Sequence, residues 1–168
     1  MADGKGDTWD DNSLGQVVGI LVSHTSRSTA IDSLRFLCVK DNVHQMSEEH
    51  GGGGDNSEMI MLDYPKEFLI EVHGIRNVAV GFNSTTKYTI RSLTFVTNKA
   101  TYGPFGQQRS CPNDIVFGFK IAGNEPGNWI AGFYGIDYAG YIRGLGVYVR
   151  APTISQPDDN KLGVKLEV

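Results

Sequence analysis

Short apolar runs divided by glycine-, proline- and asparagine-rich turns predict an all-β protein. Three observations carry that expectation. Strand-like runs recur about every 8–12 residues, which gives roughly ten to twelve strands in a sandwich or barrel-like body. Glycine, at 21 residues, accompanies Tyr, Phe, Val, Ile and Thr, a mixture that favours strands and tight turns over helices. No segment combines a helical period with caps.

The elements follow in order. Residues 1–13 are polar and rich in Gly and Asp, apart from Trp9. Gln16–Val22 is a continuous apolar run and reads as a buried strand. Ala30–Val39 alternates, with Ile31, Leu34, Phe36 and Cys38 against Asp32, Ser33 and Arg35. One slip in that alternation predicts a bulge. Glu48–Ser57 reads as a loop, and its four glycines, Gly51–Gly54, predict mobility or a close approach of backbone to something else. Met59–Leu62 and Phe68–His73 are strands around a Tyr64-Pro65 turn. Val78–Gly81 follows, and Tyr88–Thr97 alternates over the longest run. Asp114–Ile121 is strand-like, and Ile130–Val149 reads as a last strand pair around a short loop of Gly, Asp, Tyr and Arg. From Pro152 the composition changes. Residues 1–151 are expected to form the domain and 152–168 a disordered or loosely attached tail, or an edge strand at Lys161–Val168.

Composition bounds the rest. A chain of 168 residues suits one domain with a sizeable core. A formal charge of -4 argues against a nucleic-acid partner. No apolar run approaches the roughly 18 residues of a membrane span, so no membrane insertion is expected. Met1–Asp7 lacks an apolar segment of the secretory kind. Cys38 and Cys111 are too few for a disulfide scaffold and read as free thiols of a reducing compartment.

His24, His44, His50 and His73 lack metal-ligand spacing and read as surface or loop histidines, so neither a metal nor another cofactor is expected. Asp10-Asp11 reads as a turn and capping pair. Gly51–Gly54 lacks the Lys-Ser/Thr of a phosphate loop. Trp9 and Trp129 read as packing residues at sheet ends. No Ser-His-Asp, Cys-His or paired-carboxylate arrangement emerges, which argues against an enzyme.

Several segments, taken in order, resemble the jacalin-related plant lectins. They are Gly6-Asp-Thr-Trp-Asp-Asp11, Ile31-Asp-Ser-Leu34, His50–Gly54, Leu62–Gly74, Ile90–Asn98, Tyr102-Gly-Pro-Phe-Gly106 and Ala131-Gly-Phe-Tyr-Gly135, covering about residues 6–151. The resemblance implies a β-prism of the first type: three Greek-key, four-stranded sheets with pseudo-threefold symmetry. An internal repeat agrees with it. Ile31-Asp-Ser-Leu-Arg-Phe36 and Ile90-Arg-Ser-Leu-Thr-Phe95 share one pattern, and Ile142-Arg-Gly-Leu-Gly-Val147 is a degenerate third copy, at spacings of 59 and 52 residues.

The resemblance also implies a sugar pocket built from an N-terminal glycine and a last-sheet loop of pattern G-x-x-x-D. Here those positions are Gly6 and the stretch Ala139, Gly140, Tyr141, Ile142 and Arg143. A carboxylate accepts two vicinal sugar hydroxyls, and glycine lets backbone donors come close. Arg143 stands at the family's aspartate, and a guanidinium has donors but no acceptor. Asp137 is the candidate substitute acceptor, or else the ion-pair partner of Arg143. Three readings stay open: mannose- or glucose-type binding through Gly6, Tyr141 and Asp137; a shift to anionic glycans through Arg143; or a protein-interaction module whose sugar site is lost. His50, beside the glycine run, is a candidate for a second sugar contact. The mannose-type group further implies mono- or oligosaccharide and glycoprotein partners, a homodimer or higher oligomer, a cytoplasmic and nuclear location, and a part in plant stress or defence.

Overall fold

The computed structural model describes residues 6–25, 30–80, 86–121, 127–152 and 164–166. Its strands are β1 (Asp7–Asp10), β2 (Gln16–His24), β3 (Ser33–Lys40), β4 (Val43–Met46), β5 (His50–Gly51), β6 (Asn56–Met61), β7 (Leu69–Val80), β8 (Thr86–Thr97), β9 (Thr101–Gly106), β10 (Asp114–Lys120), β11 (Trp129–Tyr138), β12 (Tyr141–Arg150) and β13 (Val164–Leu166). One 3-10 turn, Asn12–Leu14, joins β1 to β2.

Hydrogen bonding among the described residues makes two sheets. The smaller runs β4-β3-β2-β6, with β5 also on β3; the larger runs β13-β12-β11-β7-β8-β9, with β1 on β11 and β10 on β7. Three four-stranded groups share one order: β6-β2-β3-β4, β10-β7-β8-β9 and β1-β11-β12-β13. In the first two, three consecutive strands are followed by a fourth that returns beside the first, which is a Greek key. In the last group the returning strand is β1, from the opposite end of the chain. The expectation of three separate sheets is corrected to two, because the starts of β7 and β11 come into register at Leu69 and Ile130 and join two groups.

The repeat seen in the sequence meets at one end of the core. Ile31, Ile90 and Ile142 are buried, and the Ile31 N–H donates to Ile90 O at 2.8 Å while the Ile142 N–H donates to Ile31 O at 3.2 Å. Deeper in, Phe36, Phe95 and Phe133 come one from each group. Phe36 and Phe133 stack at 4.6 Å between centroids, and Phe95 meets Phe133 edge-on at 6.2 Å. The third copy of the repeat has Val147 where the others have Phe, and its cross-strand neighbour Phe133 fills the space. Aromatic pairs in these geometries add about 0.5–1.5 kcal/mol each beyond the area they bury.

Several boundaries differ from expectation for identifiable reasons. The separate runs Phe68–His73 and Val78–Gly81 belong to one strand, β7, as far as Val80; Gly81 lies outside the described residues. Gly74 continues that strand because a Cβ there would sit 2.0 Å from Ser92 O on β8. The expected bulge lies in β2, at Val18 between the pairs Val17–Cys38 and Gly19–Leu37, and not in β3. β4 is exposed along its length, so no apolar alternation marked it. β1 and β5 came from segments read as polar loop. Val164–Leu166 pairs antiparallel with β12, while residues 153–163 and 167–168 lie outside the described residues.

Candidate carbohydrate-binding site

The β11–β12 hairpin closes through two residues, Ala139 and Gly140, with φ of +53° and +81°. Two positive φ values at the centre define the primed turn whose twist matches a right-twisted hairpin. Glycine meets that demand at no cost, whereas alanine holds the left-handed region under strain. The loop is therefore short. The irregularity sits in the strand: Asp137 pairs with Ile142 and Ile136 with Gly144, so Arg143 is the bulged residue of β12. A bulge re-aims the side chain that carries it.

The expected site residues divide into two sets. Gly6, Asp137 and Gly140 come together. β1 lies against β11 with Asp7 opposite Asp137, and a Cβ on Gly6 would meet Asp137 O at 2.3 Å. Asp137 does not pair with Arg143. Its Oδ2 accepts the Gly51 N–H at 2.9 Å and so ties β11 to β5. Tyr141 is exposed at the rim, at 39%. Ile142 is corrected: its side chain is fully buried and its N–H is engaged by Ile31 O, because alternation turns it inward between its two outward neighbours. Arg143 lays its guanidinium over the Tyr138 ring at 4.4 Å, and its buried Nε has no hydrogen-bond partner. That stack satisfies part of the charge through the ring quadrupole.

Other residues complete the site. A Cβ on Gly52 would sit 3.0 Å from Gly140 Cα, so the glycine run closes directly against the turn. The four consecutive glycines were the signal for that approach. Behind it, His50 is buried and stacks on Trp9 at 3.9 Å with an interplanar angle of 8°. His50 Nε2 and Asp11 Oδ2 are 2.7 Å apart. Burial removes His50 from the surface role expected of it, and Asp11 anchors a ring instead of capping a turn. Burial, and secondarily the charge of Asp11, pushes the Cys38 thiol up to about 12. Tyr138 carried no sequence signal; its role arises from the bulge that brings Arg143 over it.

The end of the molecule formed by β1, β5 and the β11–β12 turn thus offers close-packed glycine backbone, the Asp137 carboxylate, the Arg143 guanidinium and the exposed Tyr141 phenol. Such a set suits a neutral polyhydroxylated ligand or its acidic derivative. Among the described residues no group of three or more His, Cys, Asp or Glu side chains is placed to hold a metal ion. No helix among them is long and apolar enough to cross a membrane.

Comparison with known proteins agrees with this geometry. Jacalin-related lectin 3 of Arabidopsis thaliana is 34% identical over 87% of this chain, which spans 22% of that relative. Jacalin-related lectin 19 of the same plant is 35% identical over 96% of this chain and 83% of its own length. A mannose-specific jacalin-related lectin from Morus nigra, solved with mannose, superposes with a TM-score of 0.68 at 29% identity, over 86% of each chain. Jacalin bound to melibiose superposes with a TM-score of 0.66 at 27% identity, over 86% of this chain and 98% of that one. The family model for the jacalin-like lectin domain matches residues 2–148, so the chain belongs to the jacalin-related lectins, a family of carbohydrate-binding proteins.

Proposed function

We propose that this protein is a non-catalytic lectin for mannose- or glucose-type glycans, and that it binds them at the Ala139–Gly140 turn. The observation that carries the reading is the convergence of Gly6, Asp137, Gly140 and the glycine run around that turn. Asp137 uses one carboxylate oxygen to hold Gly51 and has a second for a sugar hydroxyl, with Tyr141 beside it to cover a ring face. The three four-stranded groups are read as the faces of a β-prism, with this turn at one end.

A second reading rests on Arg143. Its unpartnered Nε and its place at the turn favour a glycan bearing carboxylate or sulfate, which a guanidinium engages through two parallel bonds. A glycan array probed with the native protein and with Arg143→Asp separates these. Binding to mannose-type glycans by the native protein supports the first reading, and binding confined to uronate or sulfated glycans the second. Silence that the substitution reverses assigns the fold to protein interaction.

The wider setting is part of the same proposal. Free thiols at Cys38 and Cys111 suit a reducing compartment, in keeping with a cytoplasmic and nuclear location testable by a fluorescent fusion. Shallow sugar sites gain from avidity, so a homodimer or higher oligomer acting on glycoproteins in plant stress or defence fits the reading. Light scattering on the purified chain gives the oligomeric state.

A further inference from the structure

The carbohydrate site is assembled from β1, β5 and β11, three segments far apart in the chain, and one buried unit touches all of them. Trp9 on β1 lies opposite Gly135 on β11. A Cβ on Gly135 would meet the indole at 2.5 Å, so the ring rests directly on the strand, two residues before Asp137. His50 on β5 stacks on that indole at 3.9 Å. Asp11, which follows β1, completes the unit, with Oδ2 at 2.7 Å from His50 Nε2. An ionised carboxylate only accepts, so Nε2 carries the proton that joins the two. His50 and Asp11 are both buried, and either one alone would bear its full desolvation cost. The pair therefore holds the ring in one place.

That restraint passes to the next residue. β5 is two residues long and lies on β3 through two pairs, Ser33–Gly51 and Leu34–His50. Two pairs do little to fix a strand, and the His50 ring supplies the rest. The Gly51 N–H then donates to Asp137 Oδ2 at 2.9 Å, and Gly52 closes on Gly140 of the turn. A shift of His50 would move the donor that orients the Asp137 carboxylate.

We propose that His50 is a positioning residue of the carbohydrate site: fixed by Asp11 and Trp9, it sets Gly51 so that the Gly51 N–H holds one Asp137 oxygen and leaves the other to the ligand. The proposal rests on the reading of the turn as the sugar site. His50 does not touch the sugar and acts through Gly51 and Asp137.

The test uses the native chain, His50→Leu, His50→Gln and the double variant His50→Leu/Asp11→Leu. Two quantities are read by NMR: hydrogen exchange of the Gly51 amide, and the Kd for methyl α-mannoside from a titration of the same spectra. Leucine removes the donor to Asp11, and glutamine returns an N–H near the place of Nε2. The double variant leaves no buried carboxylate unpaired, which keeps a folded comparison where the single variant is lost. The expected result in both leucine variants is Gly51 exchange about tenfold faster and sugar binding about tenfold weaker, the scale of one hydrogen bond to a charged group, with both recovered in His50→Gln. The Ile31 and Ile142 amides, bonded elsewhere at the core end, stay as slow as in the native chain. Unchanged Gly51 exchange overturns the proposal. So does faster exchange at all three amides together, which marks a role in general stability, and so does faster Gly51 exchange with unchanged sugar affinity. No binding by the native chain overturns the mannose-type reading alone, because the Gly51 amide still reports whether His50 sets the turn.

Discussion

Removing the Asp114 carboxylate tests what the buried ion pair in the second copy of the repeat contributes to stability. Asp114 accepts two bonds from Arg91, one from Asn77 Nδ2 at 2.9 Å and one from the Cys111 N–H at 2.7 Å. The Arg91 side chain is 4% exposed and that of Asp114 11%. Asp114→Ala leaves a buried guanidinium short of its counter-charge, and breaking a buried pair costs about 3–5 kcal/mol. The partial exposure of Asp114 puts the loss near the lower end, about 3 kcal/mol, which for a domain of this size lowers Tm by roughly 6–12 °C.

The effect carries a pH signature. The hydrogen bond from Asn77, then those from the Cys111 N–H and Arg91, hold the Asp114 carboxyl below its ordinary value against the opposing effect of desolvation. A depressed carboxyl contributes stability above its unfolded pKa, about 3.9, and loses it as pH falls through the folded value. Urea unfolding of native protein and Asp114→Ala should therefore differ by about 3 kcal/mol at pH 7, with the difference beginning to shrink below about pH 4 and narrowing further as pH falls through the folded pKa. A difference under about 1 kcal/mol at pH 7 would place the pair among solvent-screened surface contacts and refute the argument.

Three further outcomes are expected. Ala139→Asn, which supplies the Asn-Gly pair preferred by a primed turn, should raise stability by about 0.5 kcal/mol in urea unfolding, because Asn tolerates positive φ better than Ala. Phe133→Ala should cost about 3–5 kcal/mol, since it removes the ring that joins Phe36 and Phe95; a loss below about 1 kcal/mol would show that the core closes over the gap. Iodoacetamide at pH 8 should label Cys111, which is half-buried, and spare Cys38, whose thiol burial pushes up to about 12; mass spectrometry of the native protein reads the count, and double labelling would contradict the burial of Cys38.

Much of the fold was legible because it depends on period. Tyr88–Thr97 alternates enough to be read as a strand, and Leu93 and Phe95 follow from the side-chain repeat of a pleated strand, whereas Ile90 joins them in the core through the register shift that leaves Arg91 as an extra residue. The three I-x-S/G-L segments likewise announced one unit used three times. β4 escaped because its side chains all face solvent and nothing constrains their polarity. β1 escaped because a strand of Asp, Thr, Trp and Asp owes its existence to the edge of β11, far away in sequence.

The site divides along the same line. The family resemblance implied that a glycine, an acid and a tyrosine would gather around the last hairpin, and the sequence sets Arg143 where that resemblance implies a carboxylate. Only the tertiary structure decided what each does. Register made Arg143 the bulged residue and laid it on Tyr138, turned Ile142 into the core, and brought Gly51 to the Asp137 carboxylate across 86 residues of chain. It also left Asp32 with an unpartnered oxygen, a state that depends on which groups the fold carries to it and which it does not. Periodicity is local and can be read along the chain, whereas a hydrogen-bond partner is a matter of distance in three dimensions.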